Sequence, residues 1–292
     1  MSQELSRREE IAQFSEFLSK IRGFMTEHQI LEILTNPLVE AVVPDRGVDP
    51  IPVTLGVGDR YLHTSPEWEM KKALVAGAGS IYQMAHVFRD DLHQNWHKPA
   101  FLMLEWYEVG IDDTQLIQRC LNLLQALGVS ESPKICTVFE LYQKHCGIYL
   151  NQCDIMTLQA YTQSQGIPSD QLAEPNHLSS WLELIWVNQI EPNLKGLVVV
   201  KDFPVCQSAL ARVVSSPYPH AKRFEVFLHG CELANGYYEA IDPAALEQRF
   251  REYSGPHKTV YAGDIKGLPN CSGVSVGVER LFALVQGKNQ LV

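Results

Sequence analysis

Residues 223–239 read Arg223-Phe224-Glu225-Val226-Phe227-Leu228-His229-Gly230-Cys231-Glu232-Leu233-Ala234-Asn235-Gly236-Tyr237-Tyr238-Glu239. Aromatic and β-branched residues on either side of a glycine are the pattern of two strands joined by a turn. Three carboxylates and an amide, Glu225, Glu232, Glu239 and Asn235, fall within fifteen residues. Two carboxylates across such a hairpin can hold magnesium, which takes few hard oxygen ligands and leaves the rest to water and substrate phosphates. The plainer alternative is a solvated acidic edge strand. On a regular strand Glu232 faces away from Asn235, Tyr237 and Glu239, because successive side chains alternate. A shared site therefore requires a bulge, and the Asn235-Gly236 pair is where one is expected.

Working outward, Gly196 to Val200 and Ser272 to Val276 also read as strands, the latter feeding a closing helix from about Val278. Ser80 to Phe88 and Phe101 to Val109 read as a hairpin with a long polar loop. Between about Asp112 and Gln189 the apolar spacing is helical, as in Leu116, Cys120, Leu123, Leu124 and Leu127. Near the start, Ile11, Phe14, Leu18, Ile21 and Met25 mark a helix to about His28, followed by an extended segment, Ile30 to Pro44. Prolines 37, 44, 50 and 52 predict irregular chain after it. A second helix is expected to start at Ser65-Pro66 and to end at Gly77 and Gly79. Strands at both ends around a helical middle predict an α+β fold: one antiparallel sheet with an inserted helical layer, in a single domain covering 1–292.

Two further clusters can do chemistry. Arg89 leaves the first strand of the long-looped hairpin, while Glu105 and Tyr107 stand two apart on the second, hence on one face. Such a set can grip an anion on one side and a cation on the other, although an ion pair and a packed tyrosine would use the same residues. Gly273 to Arg280 is a strand of small residues running into a helix whose first turn carries an arginine, which suits a phosphate or, equally, tight strand–helix packing.

With 24 basic against 34 acidic residues, the net charge of -10 opposes a sequence-blind attraction to nucleic acid. No apolar run is long enough for a membrane span, and a cytoplasmic protein is expected. The seven cysteines are scattered without a C-x-x-C pair, so neither a disulfide framework nor a zinc ribbon is encoded.

In order, His63-Thr64-Ser65-Pro66-Glu67-x-x-Met70-Lys71-x-x-Leu74-Val75-Ala76-Gly77, Phe88-Arg89 with Met103-Leu104-Glu105-Trp106-Tyr107, Glu232-Leu233-Ala234-Asn235-Gly236 and Cys271-Ser272-Gly273-Val274-x-x-Gly277-Val278-x-Arg280-Leu281 resemble the signature segments of class II aminoacyl-tRNA synthetases. More narrowly they resemble the lysyl-tRNA synthetase-like ligases that attach (R)-β-lysine to a lysine of elongation factor P. The resemblance covers Arg8 to Gly287, with motif 1 at about 11–38, motif 2 at about 80–109 and motif 3 at about 271–286.

The resemblance implies an antiparallel sheet flanked by helices that binds ATP and Mg2+. It places Arg89 on the α-phosphate, Arg280 on the γ-phosphate, Phe101 on adenine and His97 near the phosphates, with Asp91 and Gly277 also on ATP. Glu225 and Glu232 would hold the metal. Glu67, Glu105, Tyr107, Asn235, Tyr237, Glu239 and Ser275 would line the pocket for lysine or β-lysine, and several carboxylates suit a substrate with two ammonium groups. Elongation factor P is the implied acceptor, and a homodimer through motif 1 is implied. With only about ten residues before the first helix, an anticodon-binding barrel is not expected, which disfavours tRNA as acceptor. The chain departs from the family pattern at Ala100, Asp91 and Glu279, in a shortened 250–267 segment, and at Ser275, where the factor-modifying ligases carry alanine and the synthetases glycine. A truncated lysyl-tRNA synthetase-like enzyme charging tRNA or another carrier, and an inactive regulatory paralogue, are the competing readings.

Overall fold

The computed structural model describes residues 7–45, 47–56, 58–90, 98–170, 172, 174–253 and 256–288. The chain divides into two compact units, Met1–Ser130 with Ile241–Val292, and Glu131–Ala240. The first opens with α1 (Arg7–Glu27), β1 (Leu31–Glu32), β2 (Leu38–Val39), β3 (Ile51–Leu55), β4 (Gly58–Leu62), α2 (Glu67–Val75), β5 (Ile81–Phe88), β6 (Ala100–Val109) and α3 (Asp113–Ala126). The second contains β7 (Lys134–Thr137), α4 (Val138–Cys146), α5 (Ile155–Ser164), α6 (Leu178–Ile185), β8 (Leu197–Phe203), β9 (Val213–Val214), β10 (His220–Leu228) and β11 (Cys231–Tyr238). The chain returns to the first unit with α7 (Pro243–Tyr253), β12 (Cys271–Gly277) and α8 (Val278–Val285). The class is α+β, as the strands at both ends around a helical middle indicated.

In the first unit β6 is flanked by β5 and β12, both antiparallel to it, and β1 lies parallel along β5. The register sets Gln83, Glu105 and Ser275 in one row across the three strands, with Ile81, Tyr107 and Gly273 in the next. Side chains of cross-strand partners share a face, so these rows define one surface of the sheet. Around it, Phe14 and Phe17 of α1 meet Phe282 of α8 edge-on at 5.1 and 5.2 Å, and Trp68 of α2 meets Phe250 of α7 at 5.9 Å.

The segment expected to be irregular forms a small sheet in the order β2-β4-β3. Pro52 lies within β3, an edge strand, where its missing N–H costs no ladder hydrogen bond. The second helix begins at Glu67 rather than Pro66, which occupies the capping position, while the Ser65 hydroxyl accepts the Glu67 N–H at 3.0 Å. At its other end Gly77 adopts φ +89°, the left-handed conformation that stops a helix at low steric cost.

In the second unit the order is β11-β10-β8-β7, with β9 also beside β10. Among the described residues there, β7 alone runs parallel to its neighbour, joining β8 just before the start of α4. Tyr142, Trp181, Leu182, Ile185 and Trp186 pack with Val198, Val200 and Phe227 of the strands. The buried Tyr142 hydroxyl donates to the Leu182 carbonyl, which keeps a polar atom in this core satisfied.

The entry to α3 is closed by a capping box. Asp112 Oδ1 accepts the Gln115 N–H at 2.9 Å and Gln115 Oε1 accepts the Asp112 N–H at 3.2 Å. Asp112→Ala is expected to lower the unfolding free energy by about 1 kcal/mol in urea titrations, and an unchanged midpoint would show that α3 does not rely on this cap.

Candidate active site

The hairpin of β10 and β11 turns at His229 and Gly230, with φ of 53° and 79° between the paired Leu228 and Cys231. Two positive φ values mark the primed turn that matches strand twist, and the second is supplied by glycine. Pairing then slips: Val226 opposes Ala234, but Phe227 opposes Glu232, leaving Leu233 as the extra residue. The required bulge is present, yet at Leu233 and not at Asn235-Gly236, which pair regularly with Glu225 and Phe224. The extra residue resets alternation, so Glu232 joins the face that carries Glu225, Asn235 and Tyr237.

Arg223, two residues before Glu225 and hence on its face, organises this cluster. Its guanidinium donates to Glu225 Oε1, to Asn235 Oδ1 at 3.3 Å and to the Gln207 carbonyl at 2.9 Å, and lies 4.5 Å from the Phe203 ring centroid. Asn235 Nδ2 donates to the Tyr237 hydroxyl at 3.1 Å. Burial pushes the Glu225 carboxyl up to about 8, with Glu232 and Glu183 pressing the same way and Arg223 opposing them. Glu239, at the end of the hairpin, is fully buried. Glu183, on α6, and Arg223 escaped the sequence reading as site residues. A lone arginine in a strand carries no pattern, and Glu183 lies about forty residues from the hairpin it influences.

In the first unit the structure brings Glu67, Glu105 and Tyr107 together. Glu105 is 3% exposed; its Oε1 accepts from the Tyr107 hydroxyl and its Oε2 from the Ser65 hydroxyl, each at 2.7 Å. Lys71 Nζ lies 2.6 Å from Glu67 Oε1. Burial, and then the charge of Glu67, pushes Glu105 up to about 7, while Ser65, Tyr107 and Lys71 hold it down. Beside Glu105 on β12 stands Ser275, between Gly273 and Gly277 on the same face. A strip of such small residues lets a ligand approach the backbone. Ser65 and Lys71 were in the quoted motif without an assigned role; the i, i+4 spacing of Glu67 and Lys71 was the available signal.

Arg89 donates from Nε to the Thr64 carbonyl at 3.3 Å and lies 5.2 Å from the Phe101 ring centroid, so these two predicted ATP residues are adjacent. Strand β12 ends at Gly277, opposite Met103, and the next N–H along β6, that of Leu102, is accepted by Glu279 Oε2 at 2.7 Å. Glu279 thereby continues the ladder with its side chain and fixes the first turn of α8, where Arg280 sits half-buried. Burial raises the Glu279 carboxyl above its ordinary range. Asp91 and His97 lie outside the described residues.

Residues 3–291 match the family described as tRNA synthetases class II (D, K and N). The chain belongs to this class II synthetase family. Among curated proteins, it is 32% identical to the elongation factor P--(R)-beta-lysine ligase of Vibrio cholerae, over 97% of this chain and 93% of that protein. Proteins of the same name from Vibrio vulnificus and Hamiltonella defensa are 33% and 31% identical, over 96% and 92% of this chain and 92% and 89% of theirs. In this class II chain, among the described residues, no helix is long and apolar enough to cross a membrane.

The Glu105 environment of this synthetase-family fold has a measurable consequence. A carboxyl whose folded pKa is raised to about 7 binds its proton more tightly folded than unfolded, so its contribution to stability is lost as pH rises through about 7. Glu105→Gln removes that penalty. Calorimetry is expected to give a variant Tm equal to wild type near pH 5 and a few degrees higher near pH 8; an equal loss at both pH values would contradict the stated ionisation.

Proposed function

We propose that the chain activates lysine or (R)-β-lysine with ATP as an aminoacyl adenylate and transfers it to a lysine side chain of elongation factor P. The observation that carries the amino-acid half is the buried carboxylate Glu105, held by Ser65 and Tyr107 with Glu67 and Lys71 beside it. A buried carboxylate of raised pKa is costly alone and favours a cationic ligand. The names of the relatives support the factor as acceptor, and the net charge of -10 favours a basic protein surface over a phosphate backbone.

In this reading the substrate carboxylate attacks the α-phosphorus of ATP and pyrophosphate leaves. Arg89 neutralises charge building on the α-phosphate, Arg280 orients the γ-phosphate, and Phe101 with Asp91, His97 and Gly277 receives the nucleotide; positioning and charge neutralisation supply the catalysis. Glu67, Glu105, Tyr107, Asn235, Tyr237, Glu239 and Ser275 are assigned to the amino acid. The neutral amine of the acceptor lysine then attacks the adenylate carbonyl, AMP leaves, and the amine proton is released as the amide forms.

Glu225 and Glu232 fit Mg2+: they are hard oxygen donors, and Glu225 carries a charge that burial and its acidic neighbours disfavour. When bound, the ion supplies charge neutralisation for the polyphosphate. Arg223 would keep Glu225 and Asn235 oriented toward their shared face. A cytoplasmic homodimer belongs to the same reading. The first-motif region leaves Ile11, Leu31 and Leu34 exposed at 58%, 62% and 84%, an apolar set that a second copy would cover.

Exchange of labelled pyrophosphate into ATP is expected with lysine or β-lysine and not with leucine, and Arg89→Ala is expected to lower it at least a hundredfold, roughly 3 kcal/mol, without changing the fold. Equal exchange with leucine would remove the lysine assignment.

A further inference from the structure

Two residues assigned to ATP stand where β12 parts from β6. The two strands pair antiparallel as far as Gly277 opposite Met103, and carrying the register on by one residue would set Val278 against Leu102. Val278 instead opens α8. The outer end of β6, Ala100 to Leu102, stays paired with Phe88, Val87 and His86 of β5, but β12 no longer lies along its other side. An N–H left inside a protein without an acceptor is costly. The Leu102 N–H has its acceptor in Glu279 Oε2, at 2.7 Å.

That bond ties together the neighbours of two nucleotide residues. Leu102 follows Phe101, assigned to adenine, whose ring centroid lies 5.2 Å from the Arg89 guanidinium. Glu279 precedes Arg280, assigned to the γ-phosphate. A carboxylate next in sequence to a phosphate-binding arginine is poorly placed on electrostatic grounds, because it repels the same polyphosphate. Its burial adds to the cost and raises its pKa, while the Leu102 N–H, His86 and Lys98 favour the ionised form. The arrangement has a use if the carboxylate sets where Arg280 stands relative to Phe101.

We propose that Glu279 is a positioning residue for ATP: by accepting the Leu102 N–H it fixes the spacing between the adenine platform at Phe101 and the γ-phosphate arginine, Arg280. The inference rests on the ATP-dependent reading and deepens it. Strand β6 and helix α8 belong to the same compact unit, so the tie acts within one body. ATP spans both ends and draws on that spacing. AMP keeps the adenine and the α-phosphate but has no γ-phosphate, and lysine is assigned to neither end, so both are insensitive to it.

The test compares dissociation constants for ATP, AMP and lysine, by titration calorimetry with Mg2+ present, in wild type, Glu279→Gln and Glu279→Met. Glutamine matches glutamate in length and still presents an acceptor oxygen; methionine has the length without the acceptor. Glu279→Met is expected to weaken ATP at least about tenfold while AMP and lysine change by less than about threefold, and Glu279→Gln is expected to stay within about threefold of wild type for all three. A loss in Glu279→Met as large for AMP as for ATP overturns the proposal and leaves Glu279 a general structural support. A Glu279→Gln as impaired as Glu279→Met also overturns it, since the charge and not the acceptor would then matter. If Glu279→Met does not fold, Glu279→Asp decides. It keeps the charge but is one methylene shorter, so either the bond is lost or the first turn of α8 moves toward β6, and both change the spacing. ATP must then weaken roughly tenfold relative to AMP, and an unchanged ratio overturns the proposal. Wild type that binds neither nucleotide overturns the ATP reading and this inference with it, a result distinct from the failure of any variant.

Discussion

A carboxylate in the middle of a buried β-sheet is the constraint on which the first unit depends. Glu105 lies on β6 between two antiparallel neighbours, where its ionised form is costly unless donors and a cation surround it. Each donor comes from a different local device. Tyr107 is two residues along the same strand, hence on the same face. Ser65 is held at the start of α2, where its hydroxyl accepts the Glu67 N–H and donates to Glu105. Lys71 is placed by the helical repeat, a turn after Glu67. The sequence Ser65-Pro66-Glu67 to Lys71 is therefore both a helix start and half of a charge-compensating shell.

The second unit meets the same cost differently. Glu225 is compensated by Arg223 on its own strand, while Glu232 and Glu183 add like charge. Among the described groups acting on Glu225, one is a cation and two are carboxylates. A single extra residue, Leu233, makes this grouping possible, because without it Glu232 would point away from Glu225. The His229-Gly230 turn fixes the register from which that slip is counted.

Much of this was legible in the sequence because period and punctuation carry it. The pairing of 81–88 with 100–109, the glycine stop at Gly77 and the strand-to-helix passage at Gly277 follow from alternation, glycine and helical spacing. The identity of Glu67, Glu105 and Tyr107 as one cluster followed from their places in a recognised motif and from the two-residue repeat. The bulge was legible as a necessity, from the parity of Glu232 against Asn235, but not as a position: Asn-Gly marks flexible backbone, whereas the slip falls where the apolar Leu233 is buried at 2%. Pro52 argued against a strand, and its tolerance on an edge is visible only once the neighbours are known. Glu183 acts on Glu225 from another element, which no local pattern encodes, whereas Lys71 and Arg223 stand one helical turn and two strand residues from the carboxylates they pair with.

The central claim is that an acidic, lysine-selective member of the class II synthetase family makes an amide on a protein. It is tested most directly by incubating the chain with ATP, labelled lysine or (R)-β-lysine, elongation factor P and bulk tRNA together. The account predicts label on the factor, stable to mild alkali, with a mass increase of one lysyl unit on a single lysine. Alkali-labile label on tRNA, with the factor unmodified, would contradict it.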